Sequence, residues 1–216
     1  MSTIARRGTL CYKSPMPTFC QLRHYLLCLL LVLLPSAGLC HPHVWVDKGV
    51  TVVFGEQGMQ GFVMRWTFDE IFSEEILDLA GADGTQFTDS QISLIKREFF
   101  DNLRHFNYFT RIWIDGREFT VNFVRDFAPR TENRRVIYEF FVPCTVTATD
   151  SAKEVRLLVQ DPEIFVDFTW DRHQPILFEQ PATLATDHEL RIDRSRGFFG
   201  GIIAPRILHV RFRKSP

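Results

Sequence analysis

From Val44 onward the apolar residues recur at every second position, and one long block, 69–106, breaks that period with helical spacing. Period two sends successive side chains to opposite faces of an extended chain, whereas a period near 3.6 gathers them on one stripe of a helix. Val44–Phe54 alternates and is rich in valine, Gly55-Glu56-Gln57-Gly58 reads as a turn, and Gly61–Phe68 returns, so the region opens with a hairpin. In the block that follows, Ile71, Phe72, Glu75, Ile76 and Leu79 fall at helical spacing over Asp69–Ala80, with Asp69 placed to cap. Gly81–Thr88 is a loop, and Thr88-Asp89-Ser90-Gln91 has the form of a capping box ahead of a second helix that gathers Ile92, Ile95, Phe99 and Leu103. Strands then resume at Phe109–Ile114 and Glu118–Phe127 around an Asp115-Gly116 turn, and at Arg135–Pro143, Glu154–Gln160, Ile164–Trp170 and Arg206–Arg213, with weaker signals at Pro175–Phe178 and Leu190–Asp193. The expected class is α+β: mainly antiparallel, sandwich-like sheets packed on each other or on a helix pair, with a two-helix insertion after the first hairpin. One domain spans 41–216, and Gly197–Gly201 interrupts its end as an apolar loop.

The first 40 residues differ in kind. Leu26–Leu34 is apolar, Arg23 and His24 precede it, and Pro35-Ser36-Ala37-Gly38 break it with small residues. That is the layout of a secretory signal, and the run is about half of the ~20 residues that a spanning helix needs. Met16 would give this leader an ordinary length as an alternative start. Of the 25 Lys and Arg, four lie in 1–40 with none of the 26 Asp and Glu, so the remainder has a formal charge of −5. A mildly acidic body argues against nucleic acid as a partner, since phosphate binding needs a basic face. Cleavage after Cys40 leaves Cys144 without an intramolecular partner. The other reading of Ala37-Gly38-Leu39-Cys40 makes Cys40 the first mature residue and a lipid anchor, although Leu39 stands where a small residue is usual.

The densest chemistry is His41-Pro42-His43-Val44-Trp45-Val46-Asp47. Cleavage before His41 would bring an α-amine and two imidazoles together, donors that suit Ni(II), Co(II), Cu(II) and Zn(II). A square-planar site built on deprotonated amides is excluded, because Pro42 has no amide hydrogen to lose. Asp47 shares a strand face with His43 but lies ~13 Å along it, which suits a supporting role. The same histidines also fit a solvated start to an edge strand. Asp69 and Glu70 offer carboxylates at a strand end or, equally, a helix cap and a first-turn acid. Asp161-Pro162-Glu163 with Asp167 offers another acidic group or an ordinary turn. His105, His173, His188 and His209 are scattered without ligand spacing. Gly-x-Ser-x-Gly, P-loop, dinucleotide and His-Glu-x-x-His motifs are all missing from the sequence, and the chain is not expected to be an enzyme. Cys144, following Pro143 at a strand end, reads as a packed small residue. The C-terminal stretch from Arg194-Ser195-Arg196 to Arg213-Lys214 is basic and aromatic. It fits either an anionic membrane contact or a last strand with Leu208, Val210 and Phe212 inward and arginines outward.

Taken in order and spacing, His41–Asp47, Trp66-Thr67-Phe68-Asp69-Glu70, Asn107-Tyr108-Phe109-Thr110, Asp115-Gly116, and Asp161-Pro162 with Phe165-Val166 resemble a family of uncharacterised exported bacterial proteins. That family is described as the periplasmic component of an ABC-type transport system and is often encoded beside nickel/cobalt transporters. The resemblance implies a periplasmic accessory of a membrane permease whose cargo is a divalent transition metal, with His41, His43 and Asp47 as candidate ligands and Asp69, Glu70 and Asp161 as further acids. Family members often carry an EF-hand-like loop between the helices. Here Leu79 and Gly81 would fill its first and third positions without a side-chain oxygen, and its closing Glu is missing, so calcium is not expected. Two rival readings remain: a β-rich module that docks on a permease and holds no metal, and a copper enzyme built on the N-terminal histidine.

Overall fold

A computed structural model describes residues 23, 44–181, 183–197 and 204–215. The chain is α+β, and the described residues form eleven strands in two sheets, mostly antiparallel. Strands β1 (Val44–Gly55) and β2 (Gly58–Phe68) form the expected opening hairpin and lead into helices α1 (Glu70–Ala80) and α2 (Asp89–Ile95). A π-helical turn (Lys96–Phe100) and a 3₁₀ segment (Asp101–Phe109) continue α2. Then come β3 (Thr110–Ile114), β4 (Arg117–Phe119), β5 (Arg125–Glu132), β6 (Arg135–Thr147) and β7 (Lys153–Val159). The chain finishes with β8 (Val166–Trp170), β9 (Ile176–Glu179), β10 (Leu184–Ile192), a 3₁₀ turn (Arg194–Arg196) and β11 (Arg206–Lys214). Sheet A runs β5-β6-β2-β1-β8, with β9 also on β1; sheet B runs β10-β11-β7-β3-β4.

The core follows the period-two pattern. Val46, Val50, Val52 and Phe54 of β1, Phe62, Met64, Trp66 and Phe68 of β2, and Val136, Tyr138, Phe140 and Val142 of β6 are all buried in one cluster with Val155, Leu157, Leu208, Val210 and Phe212 of sheet B. Sheet B covers one end of sheet A's inner face, where the Phe54 and Phe212 rings meet edge to face at 5.0 Å. The helical insertion covers the other end: Phe100 packs on Tyr138 at 6.0 Å and Phe140 at 5.1 Å, and Ser73 Oγ accepts the Val136 N–H at 2.9 Å. Both packing modes expected of the sheets therefore occur together. β2 needs a bulge to keep register with β6 between Met59 and Gly61. Gly61 sits there at φ +153°, and a Cβ on it would come within 2.3 Å of the Val142 carbonyl oxygen, so only glycine fits.

Both helix starts are as the sequence indicates. Asp69 Oδ1 accepts the Phe72 N–H at 3.0 Å, and Thr88 and Gln91 complete a capping box, with Thr88 N–H donating to Gln91 Oε1 at 2.9 Å. Three expectations need correction. The buried face of α1 is Ser73, Ile76, Leu77 and Ala80; Ile71 and Leu79 point to solvent, at 79% and 50% exposure. The helix is rotated so that Ser73 meets the sheet, where its hydroxyl accepts a strand amide. The span Glu118–Phe127 is not one strand: β4 ends at Phe119 in sheet B and β5 begins at Arg125 in sheet A. β1 also pairs in parallel with β8 and β9, which are separated by a break at Asp171–Pro175. The last strand does place Leu208, Val210 and Phe212 inward, with Arg206 and Arg213 exposed.

Candidate functional site at the start of β1

Most of the stretches that carry the family resemblance are far apart in sequence and meet around the first described residues of β1; Asp115-Gly116 does not, and makes the β3–β4 turn at the far end of β3. Trp45 is held through both its backbone groups: its N–H donates to Asp69 Oδ2 at 2.8 Å and its carbonyl accepts the Asp69 N–H at 2.9 Å. Asp69 thus caps α1 with one carboxylate oxygen and anchors β1 with the other. On the opposite side the Val44 N–H donates to the Phe165 carbonyl at 3.2 Å, and β8 then runs parallel to β1 from Val166. Asp161, 5% exposed, shapes the turn into β8 by accepting from the N–H groups of Glu163 at 2.9 Å and Val166 at 3.0 Å. Asn107, Tyr108 and Phe109 take three successive left-handed conformations, at φ 51°, 52° and 50°. This turns the Phe109 ring onto Trp66 and Phe168, at 6.3 and 5.5 Å. Each such non-glycine residue costs roughly 1–2 kcal/mol, which the aromatic packing offsets.

On the outer face of β1, Asp47 accepts from Thr169 Oγ1 at 2.9 Å and pairs with Arg135 at 3.1 Å, while Arg135 also donates to the Phe68 carbonyl at 2.7 Å. On the inner face lies a group that the sequence reading passed over. Lys48 is 3% exposed, and its ammonium donates to the carbonyls of Val159 in sheet B at 3.0 Å and Phe168 in sheet A at 3.1 Å. Its nitrogen stands 4.9 Å from the Trp170 ring and 5.8 Å from that of Phe168. Burial pushes the Lys48 amine down to about 7, against the opposing charge of Asp167. The signal was available: strict alternation puts Lys48 in the series Val44, Val46, Val50, Val52 and Phe54, all inward.

His41 and His43 lie outside the described residues, as does the leader segment apart from Arg23. Both oxygens of Asp69 and both of Asp161 are taken by backbone N–H groups. Asp47 likewise accepts one bond on each oxygen, from Arg135 and Thr169, and its side chain is 42% exposed. Glu70 is exposed and makes no hydrogen bond or ion pair among the described residues. No group of three His, Cys, Asp or Glu side chains gathers to hold a metal among the described residues. Of the scattered histidines, His188 packs on the Phe178 ring at 4.7 Å and His209 contacts Glu154 at 3.4 Å. Cys144 is fully buried, and burial pushes its thiol up to about 12, so it is an inert packed residue. In the loop between the helices Asp83 Oδ1 accepts from the N–H of Thr85 at 3.0 Å and from its hydroxyl at 2.7 Å, closing a local turn. No helix among the described residues is long and apolar enough to cross a membrane.

A family profile described as "Protein of unknown function (DUF1007)" matches residues 26–188. The chain is also similar to a protein of Spirochaeta aurantia described as an uncharacterized 15.5 kDa protein in the trpE 3′ region. The two are 23% identical over 120 residues, 56% of this chain and 85% of that protein. With its profile matched over most of its length, the chain belongs to the DUF1007 family.

Proposed function

Taking the chain as a member of that family, we propose that it is an exported, periplasmic, non-enzymatic accessory of a transition-metal transport system. It holds or delivers a divalent ion, of the nickel or cobalt kind, through the segment His41-Pro42-His43. The observation that supports this reading is the anchoring of β1 at its first residues. Val44 and Trp45 are fixed by Phe165 and by both backbone bonds to Asp69, so a ligand segment ending at His43 leaves from a rigid base. Around that base stand Asp47, Asp167 and the unpaired Glu70, carboxylates that favour a cation. Asp47 and Glu70 are open to solvent, whereas Asp69 and Asp161 hold backbone N–H groups of the scaffold. The ion's ligands in this reading are therefore the two imidazoles, the α-amine and at most one of these acids.

The test is intact mass of the exported protein followed by titration of the same sample with Ni(II), Co(II), Cu(II) and Zn(II). A species beginning at His41 that binds one ion at micromolar concentration, and loses it in the His41→Ala/His43→Ala double variant, supports the reading. Unchanged affinity in the double variant sinks it. A second reading retains the permease and drops the metal, because the same end of the molecule exposes Trp45, Phe165 and Ile71 at 46%, 50% and 79%. Co-purification of the double variant with a permease would favour that reading.

A further inference from the structure

The outer face of sheet B carries a second concentration of chemistry, independent of the metal reading. Trp113 of β3, Leu158 of β7 and Ile207 of β11 form a small buried apolar cluster apart from the main core. Three guanidiniums from three different elements surround the indole: Arg111 of β3 at 5.2 Å, Arg156 of β7 at 5.4 Å and Arg196 of the 3₁₀ turn after β10 at 4.9 Å from the ring centroid. Arg156 lies directly across from Trp113 on one side and from His209 on the other.

Two of the three have a carboxylate of their own. Arg111 donates to Glu118 Oε1 at 3.0 and 2.9 Å, and Arg196 donates to Asp193 Oδ2 at 3.2 Å. The Arg156 side chain makes no hydrogen bond among the described residues, and its Nε is buried without a hydrogen-bond partner. Its nearest carboxylate, Glu154, is 4.0 Å away and is shared with Arg211 and His209, each at 3.4 Å. A guanidinium carries five donors in a rigid fork and no acceptor. Held only by a long ion pair to a carboxylate that two other cations share, its donors are poorly satisfied, and the indole face returns only about 0.5–2 kcal/mol. An anion between the forks would remove the imbalance. The side chains of Arg111, Arg156 and Arg196 are 46%, 31% and 35% exposed, so a small solute can reach them. Arg156 offers N–H groups that make no hydrogen bond, and the positive charge of Arg111 and Arg196 stands around the same indole, a setting that suits an oxyanion with several acceptor oxygens.

We propose that Arg156, with Arg111 and Arg196 beside it, binds a phosphate-type oxyanion on the outer face of sheet B, with Trp113 as the floor of the site. The phosphate is either a free solute or the headgroup of an anionic lipid, and two arms of one experiment separate these sources. The protein is titrated with inorganic phosphate, against chloride at equal ionic strength, while tryptophan emission is followed. It is then sedimented with vesicles of phosphatidylglycerol and phosphatidylcholine, or of phosphatidylcholine alone. Phosphate should change an emission signal that Trp113→Phe lacks. Arg156→Gln should weaken binding about tenfold or more, the scale of one lost charge-assisted pair. Arg156→Lys keeps the charge without the fork; it should fall between the two and serves as the readout should Arg156→Gln not fold. Binding in the phosphate arm marks a solute, and binding only to phosphatidylglycerol vesicles marks a headgroup. Wild-type protein that binds in neither arm, or Arg156 variants that bind as tightly as wild type, would overturn the proposal.

Discussion

Replacing Lys48 by methionine should make the protein more stable at neutral pH and remove a pH dependence that the wild type carries. An amine that titrates at 10.5 in the unfolded chain and at about 7 in the folded one binds fewer protons when folded throughout that interval. Stability therefore rises with pH from about 7 to 10.5. Below about 7 both states are charged and the full penalty of burying the ammonium applies; above 10.5 both are neutral and it is gone. At about 1.4 kcal/mol per pH unit the interval amounts to ~5 kcal/mol. Lys48→Met recovers this but leaves the Val159 and Phe168 carbonyls without the amine, at about 1 kcal/mol each. The net expectation at pH 7 is a gain of roughly 2–3 kcal/mol, shrinking to zero and reversing by pH 10. Urea unfolding of both proteins at several pH values between 6 and 10 measures the difference directly, and other titrating groups cancel in the comparison. A wild-type-minus-variant difference that stays constant with pH would refute the claim that Lys48 is held near neutrality by burial.

Other outcomes follow from the same contacts. Asp69→Ala removes both the α1 cap and the acceptor for the Trp45 amide, so denaturant melts should show a loss of roughly 2–3 kcal/mol, more than a cap alone. Tyr138 has a buried hydroxyl with no partner among the described residues, and Tyr138→Phe should leave thermal stability unchanged or raise it by about 1 kcal/mol; a clear drop would reveal a buried partner such as a water. Native Cys144 should resist thiol reagents at pH 8 and react only on unfolding, because it is fully buried and its thiol is held up to about 12. Asn107→Gly should stabilise the left-handed turn by up to about 1 kcal/mol, since φ 51° is free of strain for glycine; destabilisation would mean that the Asn side chain contributes more than its backbone costs.

Local signals were legible wherever a short-range rule decides the conformation. The capping box at Thr88-Gln91, the Asp69 cap, the opening hairpin and the inward alternation of β11 all follow from residues within a few positions of one another. The phase of α1 was not legible, because Ile71 and Leu79 are as apolar as Ile76 and Leu77. The buried face is the one that carries Ser73, whose hydroxyl accepts the Val136 N–H of β6, a tertiary contact with no local trace. The split of Glu118–Phe127 between two sheets had only a faint local sign, the slip in alternation at Phe123-Val124-Arg125; the pairings of β4 with β3 and of β5 with β6 divide it. The parallel pairing of β1 with β8 joins residues more than a hundred positions apart and leaves no local trace.

The acids at the candidate site show what such a reading mistakes. Asp47, Asp69, Glu70 and Asp161 look alike as possible ligands in sequence, and geometry separates them. An aspartate has a side chain just long enough to reach a nearby backbone N–H, and both Asp69 and Asp161 use both oxygens in that way, closing the junctions on either side of β1. Asp47 is drawn to Arg135 and Thr169, tying β1 to β6 and β8. What gathers at the start of β1 is thus a set of carboxylates spent largely on rigidity, with Glu70 left over. Rigidity of this kind has a use at the base of a short segment whose ligand groups must keep one spacing. If the proposed metal-binding role holds, Asp69→Ala should weaken metal affinity by freeing the start of β1, whereas Glu70→Gln should alter affinity only if its carboxylate reaches the ion.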